Sequence, residues 1–263
     1  MNSRFGRIRE LLNGTSRRRR HPYSEIAVIY DHIMKHVDYA VWSDYIVSII
    51  NRFQPDTHNI LELACGTGTL TVELSRRGYS MTCSDRSPAM LKAAEEKFSS
   101  SGLSPGCFAA DMTALPLSAL YDAALCLYDS LNYLVTSDEF IQALRETAAV
   151  ITAGGLFIFD VCTVKNSEMF FTDNTMIETY DDVTCERICR YDSVKRIQEN
   201  HFRIECPGKK DVFESHAQRI YLLDEITHML DGLPFRELGR FNDMSFARGT
   251  EDSDRVHFVL QKV

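Results

Sequence analysis

Between residues 59 and 161 the chain alternates short apolar runs with stretches of helical period. Residues 59–64, 80–84, 107–110, 123–128 and 156–161 each read as a buried strand of four to six residues, with the turn residues and helical patterns between them. Strands that alternate with helices predict a parallel sheet joined by right-handed crossovers. Upstream, Val41, Trp42, Tyr45, Ile46, Ile49, Ile50 and Phe53 recur at spacings of three and four, which predicts an amphipathic helix over residues 40–53 that covers part of that sheet. The punctuation agrees. Gly78 closes the first crossover helix, and Ser87-Pro88 caps and opens the second with proline at its first position. Ser137, ahead of Asp138-Glu139, predicts another helix that ends near Gly154-Gly155.

Past Asp160 the period shortens to two. Residues 179–191, 196–205 and 211–222 alternate in the strand manner, with Pro207-Gly208 as a hairpin turn, which predicts an antiparallel insertion. A helix over residues 223–230, ending at Gly232, and strands over 235–241 and 256–263 complete the sheet.

Charge divides the chain unevenly. The formal −8 combines +6 over residues 1–20, from seven Arg and one Glu, with −14 over the remainder. That asymmetry sets a basic arm, residues 1–22, apart from a domain over 23–263 that carries the insertion at about 175–222. The arm has no interleaved aromatics and the body no second basic patch, so it reads as a solvated tail, and the acidic body argues against a nucleic-acid substrate. The apolar runs at 46–50 and 156–159 are far shorter than the roughly 20 residues of a membrane-spanning helix. No secretory pattern follows the first arginines, and the eight cysteines form neither a Cys-x-x-Cys pair nor a zinc spacing. A cytoplasmic protein with free thiols and no metal is the expectation; Cys185 and Cys189 share a strand face without bonding geometry.

The chemistry concentrates in residues 60–69. Glu62 ends a strand, and Gly66-Thr67-Gly68 turns the chain into a helix whose N-terminus can face a ligand approaching the backbone closely. A dinucleotide-binding turn would place a third glycine at position 71 and would not set a carboxylate beside a pyrophosphate; Thr71 and Glu62 do the opposite. A carboxylate suits a ligand with a cationic amino group and no phosphate, as in S-adenosylmethionine. Asp85, nineteen residues after Gly66 at the end of the next strand, can accept both hydroxyls of a ribose. Asp111-Met112, after the third strand, offers a carboxylate and an apolar side chain to an adenine ring.

Together these residues resemble the class I S-adenosylmethionine-dependent methyltransferases. The stretch from Glu62 through Ala64 to Gly66 and Gly68 matches their Glu-x-x-x-Gly-x-Gly loop, Asp85 their ribose acid, Asp111-Met112 their adenine pair, and Leu127 the position that lines the methionine moiety. The resemblance implies a Rossmann-like seven-stranded sheet, parallel except for the last strand, with the antiparallel β insertion as a lid. A narrower likeness is to small bacterial methyltransferases that open with Tyr-Asp-x-x-Met, here Tyr30 to Met34, and carry Asp-Ser-Leu-Asn-Tyr-Leu, here Asp129 to Leu134. Tyr30 is a further candidate cofactor contact, with Trp42 behind it. Residues 214–219 are also similar to that group, and glycine and aminosugar N-methyltransferases are similar at greater distance. The aminosugar enzymes place a histidine base where this chain has Tyr133. The acceptor is expected to be a small molecule, an amine or an acid. Tyr133, His216 and Asp129 are the candidate proton acceptors, and Tyr128, Asn132 and Arg219 the candidate substrate contacts, with Arg219 offering a guanidinium to an acidic group. A monomer or homodimer is expected. A nucleotide-dependent oxidoreductase and a noncatalytic cofactor-binding module are the alternatives.

Overall fold

The computed structural model describes Tyr23, residues 26–208 and residues 210–263; the expected basic arm lies outside the described residues. Four strands inside the central sheet are apolar on both sides, and each face has its own helical cover. In β1 (Asn59–Leu63), Ile60 points to one face and Leu61 to the other. Helix α2 (Tyr39–Phe53), capped by the Asp38 side chain, lays Trp42, Ile46, Ile49 and Ile50 against Ile60, Leu125 and Ile158. On the opposite face α5 (Ser137–Val150) packs Phe140 and Leu144 against Leu61, Phe157 and Phe159. A short α1 (Tyr30–Ile33) precedes α2.

The remaining elements are α3 (Thr69–Arg76), β2 (Ser80–Asp85), α4 (Pro88–Ser100), β3 (Gly106–Ala109), β4 (Tyr121–Cys126), β5 (Ile151–Cys162), α6 (Val164–Phe170), β6 (Asn174–Tyr180), β7 (Val183–Asp192), β8 (Ile197–Glu205), β9 (Val212–Arg219), α7 (Leu223–Met229), β10 (Phe235–Asn242) and β11 (Arg255–Lys262). The central sheet has the order β10-β11-β5-β4-β1-β2-β3, and β11 alone runs antiparallel to its neighbours. This is the seven-stranded sheet the resemblance implied. The chain leaves β1 toward β2 on one side and returns to β4 on the other, which opens a crevice at the carboxyl ends of these strands. None of the described helices is long and apolar enough to cross a membrane.

A second sheet, β6-β7-β8-β9, is wholly antiparallel and is the expected insertion. It holds one strand more than the pattern predicts. The run over 179–191 is two strands, because Asp181 takes a left-handed φ of 46° and folds Tyr180 back onto Val183. The helix expected to end near Gly154-Gly155 stops instead at Val150. Those glycines lie inside β5 where its pairing with β4 shifts register; a Cβ on Gly155 would come within 2.8 Å of the Asp122 carbonyl. The helix begins at Ser137 as expected, and the residue before it is the cap: the Thr136 side chain and Glu139 form a reciprocal capping box.

Candidate active site

A cavity of about 870 Å³ opens at the crevice beside β1 and β4, walled by the second sheet, by Tyr23 and by the segment from Ile26 to Tyr39. The turn after β1 forms its floor. Ala64, Gly66 and Gly68 all have left-handed backbones, at φ 52°, 56° and 72°. Ala64, Cys65 and Thr67 line the cavity, whereas Gly66 and Gly68 shape the turn without lining it. The Gly66 N–H donates to Asp85 Oδ2 at 2.9 Å, and a Cβ at Gly68 would sit 2.5 Å from the Phe98 ring. The Tyr30-Asp31 pair holds α1 over this turn. Asp31 accepts the Thr67 hydroxyl at 2.5 Å and pairs with Lys97 at 2.8 Å, while the Tyr30 ring faces the cavity.

Glu62 lies at the cavity wall, almost wholly buried, and accepts a hydrogen bond from the Thr71 hydroxyl. Position 71 therefore orients an acid rather than admitting a phosphate. Burial pushes Glu62 up to about 7, against the lowering pull of Thr71. Asp85 is also buried. Its carboxylate joins strand and turn, accepting Gly66 N–H and, at 2.7 Å, the N–H of Ser87, itself the cap of α4. Desolvation raises its pKa and these backbone bonds oppose the rise. Asp111 and Met112 lie just past β3. Asp111 accepts from Thr113 and faces the exposed Arg86 at 3.5 Å, which together hold its carboxyl low in spite of partial burial. Leu127 and Trp42 complete the apolar lining.

After β4 two consecutive non-glycine residues, Tyr128 and Asp129, have left-handed backbones, at φ 59° and 51°. Asp160, buried at the end of β5, makes this possible by accepting both their N–H groups, at 2.6 and 2.9 Å. Arg255 of β11 pairs with Asp160 and, at 2.8 Å, with Asp129, and lies over the Tyr128 ring. The other Asp129 oxygen accepts from Gln218 Nε2 at 2.6 Å. Asp129 lines the cavity and is also a tie between β4, β11 and the second sheet, each of its oxygens accepting a hydrogen bond. Tyr128 lines the cavity as expected, its hydroxyl 3.4 Å from His36.

Two expected substrate contacts are corrected. Asn132 is fully buried and outside the cavity, donating to the Arg219 carbonyl at 2.6 Å and accepting from Cys162 N–H at 3.3 Å. Arg219 turns away from the cavity to Glu225 at 3.2 Å and stacks over Tyr221. His216 and Arg219 are three residues apart on β9, and an odd separation puts them on opposite faces of a strand.

His216 faces inward. Its Nδ1 is 3.3 Å from the Tyr133 hydroxyl and its Nε2 is 3.1 Å from Glu214, and the Tyr133 hydroxyl also bonds that of Tyr23. Buried Glu214 accepts the Tyr23 and Ile26 N–H groups at 2.8 and 3.0 Å. Burial, chiefly, raises the Tyr133 phenol above its usual value and keeps it neutral. Tyr23, Glu214, Asp160 and Arg255 were missed from the sequence: Tyr23, Asp160 and Arg255 reach their partners only through the folded topology, and the two-residue step from Glu214 to His216 brings their side chains together only once β9 forms.

A methyltransferase domain family matches residues 60–155, the span from β1 into β5. The Bacillus subtilis (strain 168) protein named "Putative methyltransferase YqeM" is 29% identical over 245 residues, covering 91% of this chain and 97% of its own. The crystal structure of an S-adenosylmethionine-dependent methyltransferase from Clostridium acetobutylicum superposes with a TM-score of 0.79 at 26% identity, over 90% of this chain and 98% of that one. The chain is a class I S-adenosylmethionine-dependent methyltransferase. At greater distance, the dTDP-3-amino-3,4,6-trideoxy-alpha-D-glucopyranose N,N-dimethyltransferase of Streptomyces venezuelae is 25% identical over 136 residues, 51% of this chain and 56% of its own. The oxidoreductase and noncatalytic alternatives fall away. The methyltransferase's donor set fits its cofactor: buried carboxylates stand near the ends of the adjacent strands β1 and β2, Met112 past β3 and Leu127 past β4 line the cavity on either side of that pair, and Glu62 stands where a phosphate would be repelled.

Proposed function

We propose that the methyltransferase acts on a small-molecule amine, with the cofactor ammonium at Glu62, the ribose at Asp85, the adenine at Asp111 and Met112, and the methionine chain beside Tyr30, Ala64 and Leu127. Gly66 and Gly68 act by shaping the turn beneath it. S-adenosylmethionine supplies a methyl group on a sulfonium, an excellent leaving group. The protein's task is then alignment, exclusion of water and removal of a proton, and proximity alone can supply about 7–11 kcal/mol of such a barrier. The observation that carries the reading is the chain Tyr133–His216–Glu214, whose first two members line the cavity with buried Glu214 behind them. Glu214 can accept the proton on Nε2, which leaves Nδ1 free to accept from the Tyr133 hydroxyl. A proton leaving the methylated nitrogen passes to the Tyr133 oxygen as the phenolic proton moves to His216. A small acceptor is supported by the second sheet, which closes the cavity from above, and by the aminosugar named for the Streptomyces venezuelae relative. Tyr128 forms part of the acceptor wall.

A screen of small amines for gain of one methyl mass identifies the acceptor. His216→Asn and Tyr133→Phe should then lower kcat by about 10²- to 10⁴-fold, with cofactor affinity unchanged. Wild-type turnover in both variants defeats the relay. We further take residues 1–22 as an appendage to a domain over 23–263, so a chain that begins at His21 should bind the cofactor as the full chain does.

A further inference from the structure

Among the described residues three arginines line the cavity, and two of them are already engaged. Arg86 is exposed and faces Asp111, and Arg255 is paired with Asp129 and Asp160. Arg187, on β7, makes no ion pair with any described carboxylate. Its Nε and Nη2 both donate to Asn200 Oδ1, at 3.1 and 2.9 Å, and its guanidinium lies over the Phe171 and Phe202 rings at 5.2 and 5.6 Å. These contacts occupy one edge and the flat sides of the fork. The end-on pair, Nη1–H with the second Nη2–H, is left for a bidentate partner.

Register places this group in the acceptor compartment. Arg187 pairs with Phe202 of β8, which pairs with Glu214 of β9; Asn200 pairs with His216. Arg187 and His216 therefore share one face of the second sheet, two strands and two residues apart, or about 12 Å between Cα atoms. The charge reaches the relay. At the Tyr23 and Tyr133 phenols it works against the upward push of burial.

Resting on the reading of the site as a small-molecule methyltransferase, we propose that Arg187 binds an anionic group of the methyl acceptor, a carboxylate or a phosphate, end-on to its guanidinium. The acceptor class is then a small amino compound whose acid group lies a few bonds from the methylated nitrogen. Asn200 fixes the plane of the fork, and Phe171 and Phe202 strip water from it, so a lysine at 187 would keep the charge and lose the two-point fit.

The full chain, saturated with S-adenosylhomocysteine, is titrated with acetate and separately with inorganic phosphate, in each case against chloride at constant ionic strength. Ligand-observed proton and phosphorus NMR follow the two anions. Saturable binding of one of them is expected, and the preferred anion distinguishes a carboxylate from a phosphate acceptor. Arg187→Met should weaken it by about tenfold or more, as loss of a charge-assisted bidentate bond predicts. Arg187→Lys should fall between the two, and Arg219→Met should bind as the wild type does. S-adenosylhomocysteine affinity should be the same in all four proteins. Equal anion binding in wild type and Arg187→Met, or no saturable binding in the wild type, overturns this inference alone. A chain that does not bind S-adenosylhomocysteine overturns the methyltransferase site with it.

Discussion

The Thr71 hydroxyl donates to the Glu62 carboxylate across the turn from β1 to α3, so one residue both replaces a glycine and orients an acid. Burial has brought Glu62 to about 7. A bound ammonium favours the ionised carboxylate, and cofactor binding should therefore release a proton. Affinity should climb as pH rises through about 7 and level off above it. Calorimetry in buffers of different ionisation enthalpy reads the proton directly, and Glu62→Gln should flatten the profile. Without ligand the sign reverses. The folded value lies above the ordinary 4.5, so stability is greatest below that pH and falls as pH approaches 7, by up to about 3 kcal/mol. Glu62→Gln should remove that fall in urea titrations.

Gly66→Ala and Gly68→Ala should differ, although both residues have left-handed backbones. A Cβ at Gly66 meets only the edge of Tyr30 at 3.7 Å, so the cost is backbone strain of about 1–2 kcal/mol. At Gly68 the same strain is joined by a collision with Phe98 and with Ala94 at 3.1 Å, deep between α3 and α4. Thermal unfolding should show the larger loss for Gly68→Ala, and that variant should also lose S-adenosylhomocysteine binding.

Asp160→Asn leaves Arg255 half-paired beneath the cavity and weakens the acceptor that holds the Tyr128-Asp129 turn. Breaking a buried pair of this kind costs about 3–5 kcal/mol. Urea denaturation should register the loss, and Arg255→Met should resemble it. Wild-type stability in both variants would show that the turn holds its shape without them.

Asn132→Ala should destabilise the fold by about 1–3 kcal/mol, because it unpairs the buried Arg219 carbonyl and Cys162 N–H. Arg219→Ala should leave the acceptor KM unchanged. A raised KM in Arg219→Ala would return that residue to the acceptor site.

The glycine turn, the strand ends that carry Glu62, Asp85 and Met112, and the succession of strands and helices could be read from the sequence because each rests on contacts within a strand-turn-helix unit or on a repeated period, whereas the seven-stranded sheet came from the resemblance. What stayed hidden depends on register. Arg187 and His216 are 29 positions apart, and nothing short of the pairing β7–β8–β9 places them on one face; the same parity turns Arg219 outward. Asp160 and Arg255 meet across β5 and β11, 95 positions apart, and their sequence neighbours carry no sign of the pairing. The Asp181 hairpin escaped notice because the strand-like alternation runs straight through two aspartates, either of which can adopt a left-handed backbone.

Between the second sheet and the floor of the cavity the donors all point one way. The Ser167 hydroxyl donates to Gln198, Gln198 donates to Gln218, and Gln218 donates to Asp129. An amide can turn end for end and a hydroxyl can rotate, so three of these four groups have no polarity of their own. The Asp129 carboxylate, paired with Arg255, can only receive, and it sets the direction of every bond above it. With an amide at position 129 the forward and reversed arrangements would become alternatives, and the wall of the cavity would have two electrostatic faces instead of one.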